Sequence, residues 1–142
     1  MKELAPIILF TYNRPWHTKQ VLDALSRNKL SDQSELFVFS DGAKTHDDER
    51  DVIKTRDILS QTVGFKKVTV IERPCNWGLA ANIINGVSTI IDQYGKVIVL
   101  EDDLVTAPSF LTFMNNALNV YEEVDEVAHI HSFCYSGLNL PD

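Results

Sequence analysis

The chain has 142 residues, of which 44% are apolar and 23% charged, and it carries a net charge of −7. At that length a single domain, spanning residues 1–142, buries roughly 68% of its unfolded surface. No Lys/Arg-dense stripe is present to displace counterions, so nucleic acid is not expected as a partner. An acidic chain that takes an anionic substrate needs local help, from a metal ion or from backbone N–H groups. No apolar stretch approaches the roughly 20 residues needed to span a bilayer. Met1-Lys2-Glu3 puts an acid where a signal peptide would be basic. A cytoplasmic location is therefore expected, and it leaves room for peripheral membrane contact. Cys75 and Cys134 lie far apart, which reads as two reduced thiols, with one disulfide as the alternative.

In chain order, residues 6–10 form a short continuous apolar run, the pattern of a strand buried on both faces. The run ends in Thr11-Tyr12-Asn13-Arg14-Pro15. Asn13 is a candidate helix cap, although Pro15 disfavours the α region for Arg14 and moves the start one residue on. Val21, Leu22 and Leu25 then follow helical spacing. A second strand, 36–39, stops at the turn signal Ser40-Asp41-Gly42. Thr45 with Asp48 resembles a capping pair that opens a helix carrying Val52, Ile53 and Leu59. After Gly64 comes a third strand at 68–71. The clearest helix has Leu79, Ile83, Val87, Ile90, Ile91 and Tyr94 at intervals of three and four, and Gly95 ends it. A fourth strand, 96–100, runs into Glu101-Asp102-Asp103. Thr106 and Pro108 suit the start of a helix with Phe110, Met114, Ala117 and Tyr121, and 127–131 reads as a fifth strand before a loop from Gly137. Strict alternation of strand and helix predicts an α/β fold, doubly wound, with a mainly parallel sheet and helices on both faces.

Such a fold gathers its ligand groups at the carboxyl ends of its strands. Tyr12-Asn13-Arg14, Asp41-Gly42, Glu72-Arg73, the acidic triplet and the residues from Ser132 onward would all meet there. Three adjacent carboxylates behind a buried strand repel one another, and a hard divalent cation such as Mg2+ or Mn2+ relieves the repulsion with the oxygen ligands it prefers. Strand alternation puts Glu101 and Asp103 on one side and Asp102 on the other. One carboxylate is then free to hold a metal while another accepts hydrogen bonds from a sugar hydroxyl. In 76–82 (NWGLAAN), Gly78 permits close backbone approach, the helix start offers free N–H groups to an anion, and Asn82 shares a face with Gly78. Neither a phosphate loop nor a dinucleotide fingerprint is present. His129 and His131 would face one way from the fifth strand, but no third soft ligand points to zinc, and their alternative role is to assist a metal held by Asp103.

The segments 6–15 (PIILFTYNRP), 39–42 (FSDG), 76–82 (NWGLAAN) and 99–104 (VLEDDL) resemble, in order and spacing, the GT-A fold nucleotide-sugar glycosyltransferases. EDDL followed by 107–110 (APSF) is similar to the N-acetylglucosaminyltransferase I branch, and the Asn-x-Gly helix to the broad family 2 transferases. The resemblance implies an N-terminal donor-binding part with a Rossmann-like nucleotide site, an enzyme that uses a UDP-linked sugar in polysaccharide biosynthesis. Thr11, Tyr12, Asn13 and Arg14 would frame the nucleotide, and Asp41 would accept a hydrogen bond from uracil. Asp103 would ligate Mn2+ or Mg2+ bridging the diphosphate, Glu101 and Asp102 would contact ribose or donor sugar, and Asn82 would line the same pocket. The acceptor would be a glycan or lipid-linked hydroxyl. The general base is expected beyond the chain end, so neither Asp125 nor Asp142 is assigned. The alternative is a non-catalytic nucleotide- or metal-binding module. A phospho-acceptor domain would need acids after the first strand and an Asp after the third, where this chain has Thr11-Tyr12 and Glu72-Arg73.

Overall fold

The structure, a computed structural model, describes residues 3–132. Its elements run β1 (Ile7–Thr11), α1 (Pro15–Ser26), a single 3-10 turn, β2 (Glu35–Ser40), α2 (His46–Ser60), β3 (Lys67–Glu72), α3 (Leu79–Tyr94), β4 (Ile98–Glu101) and α4 (Phe110–Val120). The four strands form one parallel sheet in the order β3-β2-β1-β4. This is the α/β architecture expected from the alternation of apolar patterns.

The pleat sorts the central strands between two cores. Ile7 and Leu9 of β1, with Leu36, Val38, Ile98 and Leu100, pack under Val21, Leu22 and Leu25 of α1, Leu59 of α2, and Leu111 and Met114 of α4. Ile8 and Phe10, with Phe37 and Phe39, face α3 through Ile90, Ile83 and Val87. Burying each of these side chains is worth roughly 1.5–3 kcal/mol, which is why β1 reads as an unbroken apolar run. Phe10 and Phe39 also stack, with ring centroids 5.5 Å apart.

Helix ends follow the sequence signals with one exception. Pro15 is the first residue of α1 and Arg14 its cap, so the proline moved the start as anticipated. Asn13 is not the cap; its side chain reaches Asp48 instead. Asp48 does close the start of α2, accepting from the Thr45 N–H at 3.0 Å and the Thr45 hydroxyl at 2.7 Å. Gly95 ends α3 in the left-handed region at φ 73°.

The fifth strand is a correction. Residues 127–131 form no strand, and Val127 is held by a turn bond from its N–H to the Val124 carbonyl. Alternating apolar residues specify which face each side chain takes, but a strand also needs backbone bonds to a neighbour, and among the described residues β4 pairs only with β1. Cys134 and the expected loop from Gly137 lie outside the described residues.

Candidate active site

The chain leaves β1 towards β2 and β3 on one side and returns to β4 on the other. The order of the sheet therefore reverses between β1 and β4, the point at which open α/β sheets open a crevice for ligands. A cavity of about 460 Å³ lies there. Thr11, Tyr12, Asn13 and Arg14 enter it from the end of β1, and Glu101, Asp102 and Asp103 from the end of β4. Asp41 comes from β2, and Asn82 from the first turn of α3. Thr11 to Arg14, Asp41, Asn82 and Glu101 to Asp103 thus share one space, whereas Gly42, Glu72, Arg73, His129, His131 and Ser132 are not among its lining residues.

The β2 side is closed by hydrogen bonds. Asp41 is buried, and its Oδ1 accepts from the N–H groups of Gly42 (2.9 Å) and Trp77 (2.8 Å). Its Oδ2 accepts from the Gly78 N–H (3.0 Å) and from Asn76 Nδ2 (3.2 Å). A carboxylate offers about four lone-pair sites, so all are in use. The observed work of Asp41 is to clip the β3–α3 loop to the end of β2. Two glycines make the clip possible. A Cβ on Gly42 would fall 2.4 Å from the Cys75 carbonyl carbon, and Gly78 takes φ +77° to turn its N–H towards Asp41.

Behind the clip lies Arg73, which the sequence places at the ligand edge with Glu72 and which the structure sets behind the lining of the cavity. Arg73 is buried, and its guanidinium sits 3.8 Å from the centroid of the Trp77 ring. Its Nε donates to Asn82 Oδ1 at 3.0 Å, and Nη2 donates to Asn85 Oδ1 at 2.6 Å. Arg56 of α2 reaches the Arg73 carbonyl at 2.8 Å. Asn82 is thus fixed as part of the wall. The only sequence cue was an arginine at the end of a strand, because its partners come from a later helix.

The β4 side is built differently. The strand ends at Glu101, and a turn bond from the Leu104 N–H to the Glu101 carbonyl swings the chain round. Strand alternation therefore stops before the triplet is complete, which overturns the expected split of Asp102 from Asp103. Both carboxylates meet Arg14, whose Nη1 lies 3.5 Å from Asp102 Oδ1 and 3.3 Å from Asp103 Oδ2. Asp102 is buried and Asp103 is half exposed. Burial pushes the Asp102 carboxyl above its ordinary 3.8; the Arg14 charge opposes this, Asp103 adds to it, and the Tyr12 N–H opposes it again. Among the described residues, the buried Thr11 hydroxyl has no hydrogen-bond partner.

This donor set suits a hard cation of one kind. Among the described residues no group of three or more His, Cys, Asp or Glu side chains is disposed to hold a metal. Mg2+ is commonly bound through one or two carboxylates, with substrate phosphates and water completing its shell. Asp103 at the mouth, beside Asp102, matches that pattern, and Arg14 now supplies the positive charge. His129 does not reach the groove. It lines a separate cavity of about 270 Å³ with Tyr94, Lys96 and Tyr121, at the amino end of β4, and His131 is exposed.

Comparison with known proteins agrees with this geometry. A solved structure of S. aureus TarS superposes with a TM-score of 0.54 at 17% identity, over 84% of this chain and 20% of that one. The likeness is one of fold, and this chain spans a fifth of the length of its neighbour. No curated protein matches significantly. No helix among the described residues is long and apolar enough to cross a membrane. The model of the family described as "Glycosyl transferase family 2" matches residues 7–138. On that match over nearly its whole length, the chain belongs to glycosyl transferase family 2.

Proposed function

We propose that this chain binds the donor of a nucleotide-sugar glycosyltransferase, and that the donor is UDP-linked with a divalent cation bridging its diphosphate. The observation that carries the reading is the meeting of the β1 loop and the acidic turn in one cavity at the switch point of a family 2 sheet. The nucleoside would lie against Thr11, Tyr12 and Asn13, with Asn82, on the wall that Asp41 and Arg73 hold, lining the same cavity. A uracil N–H could reach Asp41 only by displacing the Asn76 amide, the longest of its four bonds.

Asp103 would hold Mn2+ or Mg2+, with Glu101 and Asp102 turned towards ribose or the donor sugar. When bound, such an ion supplies Lewis-acid neutralisation of the departing nucleoside diphosphate. The chain's own contribution is to orient the donor, to keep the anomeric carbon open to an acceptor hydroxyl, and to offer Arg14 as a second positive charge once it leaves the acids. The similarity of EDDL and APSF to the N-acetylglucosaminyltransferase I branch supports a UDP donor, and a glycan or lipid-linked acceptor follows from the same resemblance. A binding module without turnover would share this cavity.

Thermal melts with UDP, ADP and GDP, each with Mn2+, test the reading. Ligand that binds the folded state at 100 times its Kd stabilises by about 2.7 kcal/mol, so UDP should raise the Tm by several degrees. Equal shifts from all three nucleotides would remove the uridine assignment, and no shift would remove the donor site.

A further inference from the structure

Asp48 lies outside the cavity, yet two side chains that line it gather at its carboxylate. Asn13 donates from Nδ2 to Asp48 Oδ1 at 2.7 Å. The Tyr12 hydroxyl accepts the Lys44 N–H at 3.0 Å and lies near enough to the same carboxylate to favour its charged form. The remaining oxygen closes the start of α2 through Thr45. One carboxylate therefore ties the β1–α1 loop to the head of a 15-residue helix. At its other end the loop is tied by Arg14 to Asp102 and Asp103, through longer contacts of 3.5 and 3.3 Å. A cation bound at Asp103 would compete with Arg14 for that carboxylate. Asp48 would then be the remaining anchor.

We propose that Asp48 is a positioning residue for nucleotide binding, holding Tyr12 and Asn13 as a fixed wall while Arg14 exchanges its acidic partners for the donor. The proposal rests on the donor reading above. Helix capping accounts for the two bonds from Thr45. It gives no reason for Asn13, 35 residues away, to point at the same carboxylate.

Asp48→Ala and Thr45→Val separate the two roles. Both lose the cap, and both should lower the Tm by about 3 °C. Asp48→Ala alone should speed backbone amide exchange across residues 12–14 and weaken UDP binding about tenfold, because the loop must be ordered on binding. Thr45→Val should leave loop exchange and UDP affinity within about twofold of the parent. Parent-like exchange in Asp48→Ala, or equal loss in Thr45→Val, would overturn the proposal. A parent chain that binds no UDP would sink the donor reading instead, and loop exchange would still decide whether Asp48 holds Tyr12 and Asn13.

Discussion

The two sides of the cavity are made of the same residue type under opposite conditions. On the β2 side, the Asp41 carboxylate is buried and receives four hydrogen bonds, one from the neighbouring Gly42 N–H and three from the β3–α3 loop, which Arg73 backs by stacking. On the β4 side, Asp102 and Asp103 share a single guanidinium at 3.3 to 3.5 Å, with Asp103 half exposed. A satisfied carboxylate holds structure, whereas an under-satisfied pair attracts a cation. The difference separates the residues that build the site from those left free to act, and it orders the expected effects of mutation.

The largest effect should come from the satisfied side. Asp41→Ala strands the N–H groups of Gly42, Trp77 and Gly78, and should cost about 3 kcal/mol, seen as a fall of about 10 °C in the Tm. A fall under 2 °C would mean that the clip is ornamental. Next is Gly42→Ala, whose Cβ would meet the Cys75 backbone at 2.4 Å. Backbone cannot swing aside as a side chain can, so a loss of about 1–3 kcal/mol in denaturant melts is expected.

A smaller effect should appear with pH. Hydrogen bonds from Thr45, Tyr12 and Asn13 hold the Asp48 carboxyl below its ordinary 3.8. A depressed acid stabilises the fold above its unfolded pKa and loses that contribution as pH falls through the lower folded value. The Tm gap between parent and Asp48→Ala should therefore be constant near neutrality and close below pH 3.8. A gap that persists unchanged under acid would assign the effect to packing. The smallest change in stability belongs to Arg14→Ala. Its pairs are partly exposed and worth about 0–1 kcal/mol, so the Tm should barely move. Mn2+ alone should nevertheless bind more tightly, because its competitor is gone.

Much of this contrast is legible in the sequence, but unevenly. The apolar run of β1, the Thr45–Asp48 pair and the stop at Gly95 are local signals, and the structure follows them. The burial of the Asp41 charge is not local, because three of its four donors lie 35 to 37 residues away in a separate loop. Arg73 is placed at the strand edge by the sequence, but its partners Asn82 and Asn85 come from a later helix. Alternation assigns Asp102 and Asp103 to opposite sides only if it is carried two residues past the end of β4. Residues 127–131 alternate like a strand and pair with none, since apolar periodicity describes a face and says nothing of a neighbour. The meeting of the β1, β2 and β4 ends needed only the topology; the β3 end, Glu72 and Arg73, does not line the cavity, and the expected fifth strand is absent among the described residues.

The central claim is that the under-satisfied side takes a cation which bridges the donor. Calorimetric titration of UDP into parent and Asp103→Ala, each with and without Mn2+, tests it most directly. The account predicts that Mn2+ tightens UDP binding to the parent at least tenfold, and that Asp103→Ala loses most of this gain while keeping its Tm. Equal UDP affinity with and without Mn2+ in the parent, or an undiminished Mn2+ effect in Asp103→Ala, would contradict it.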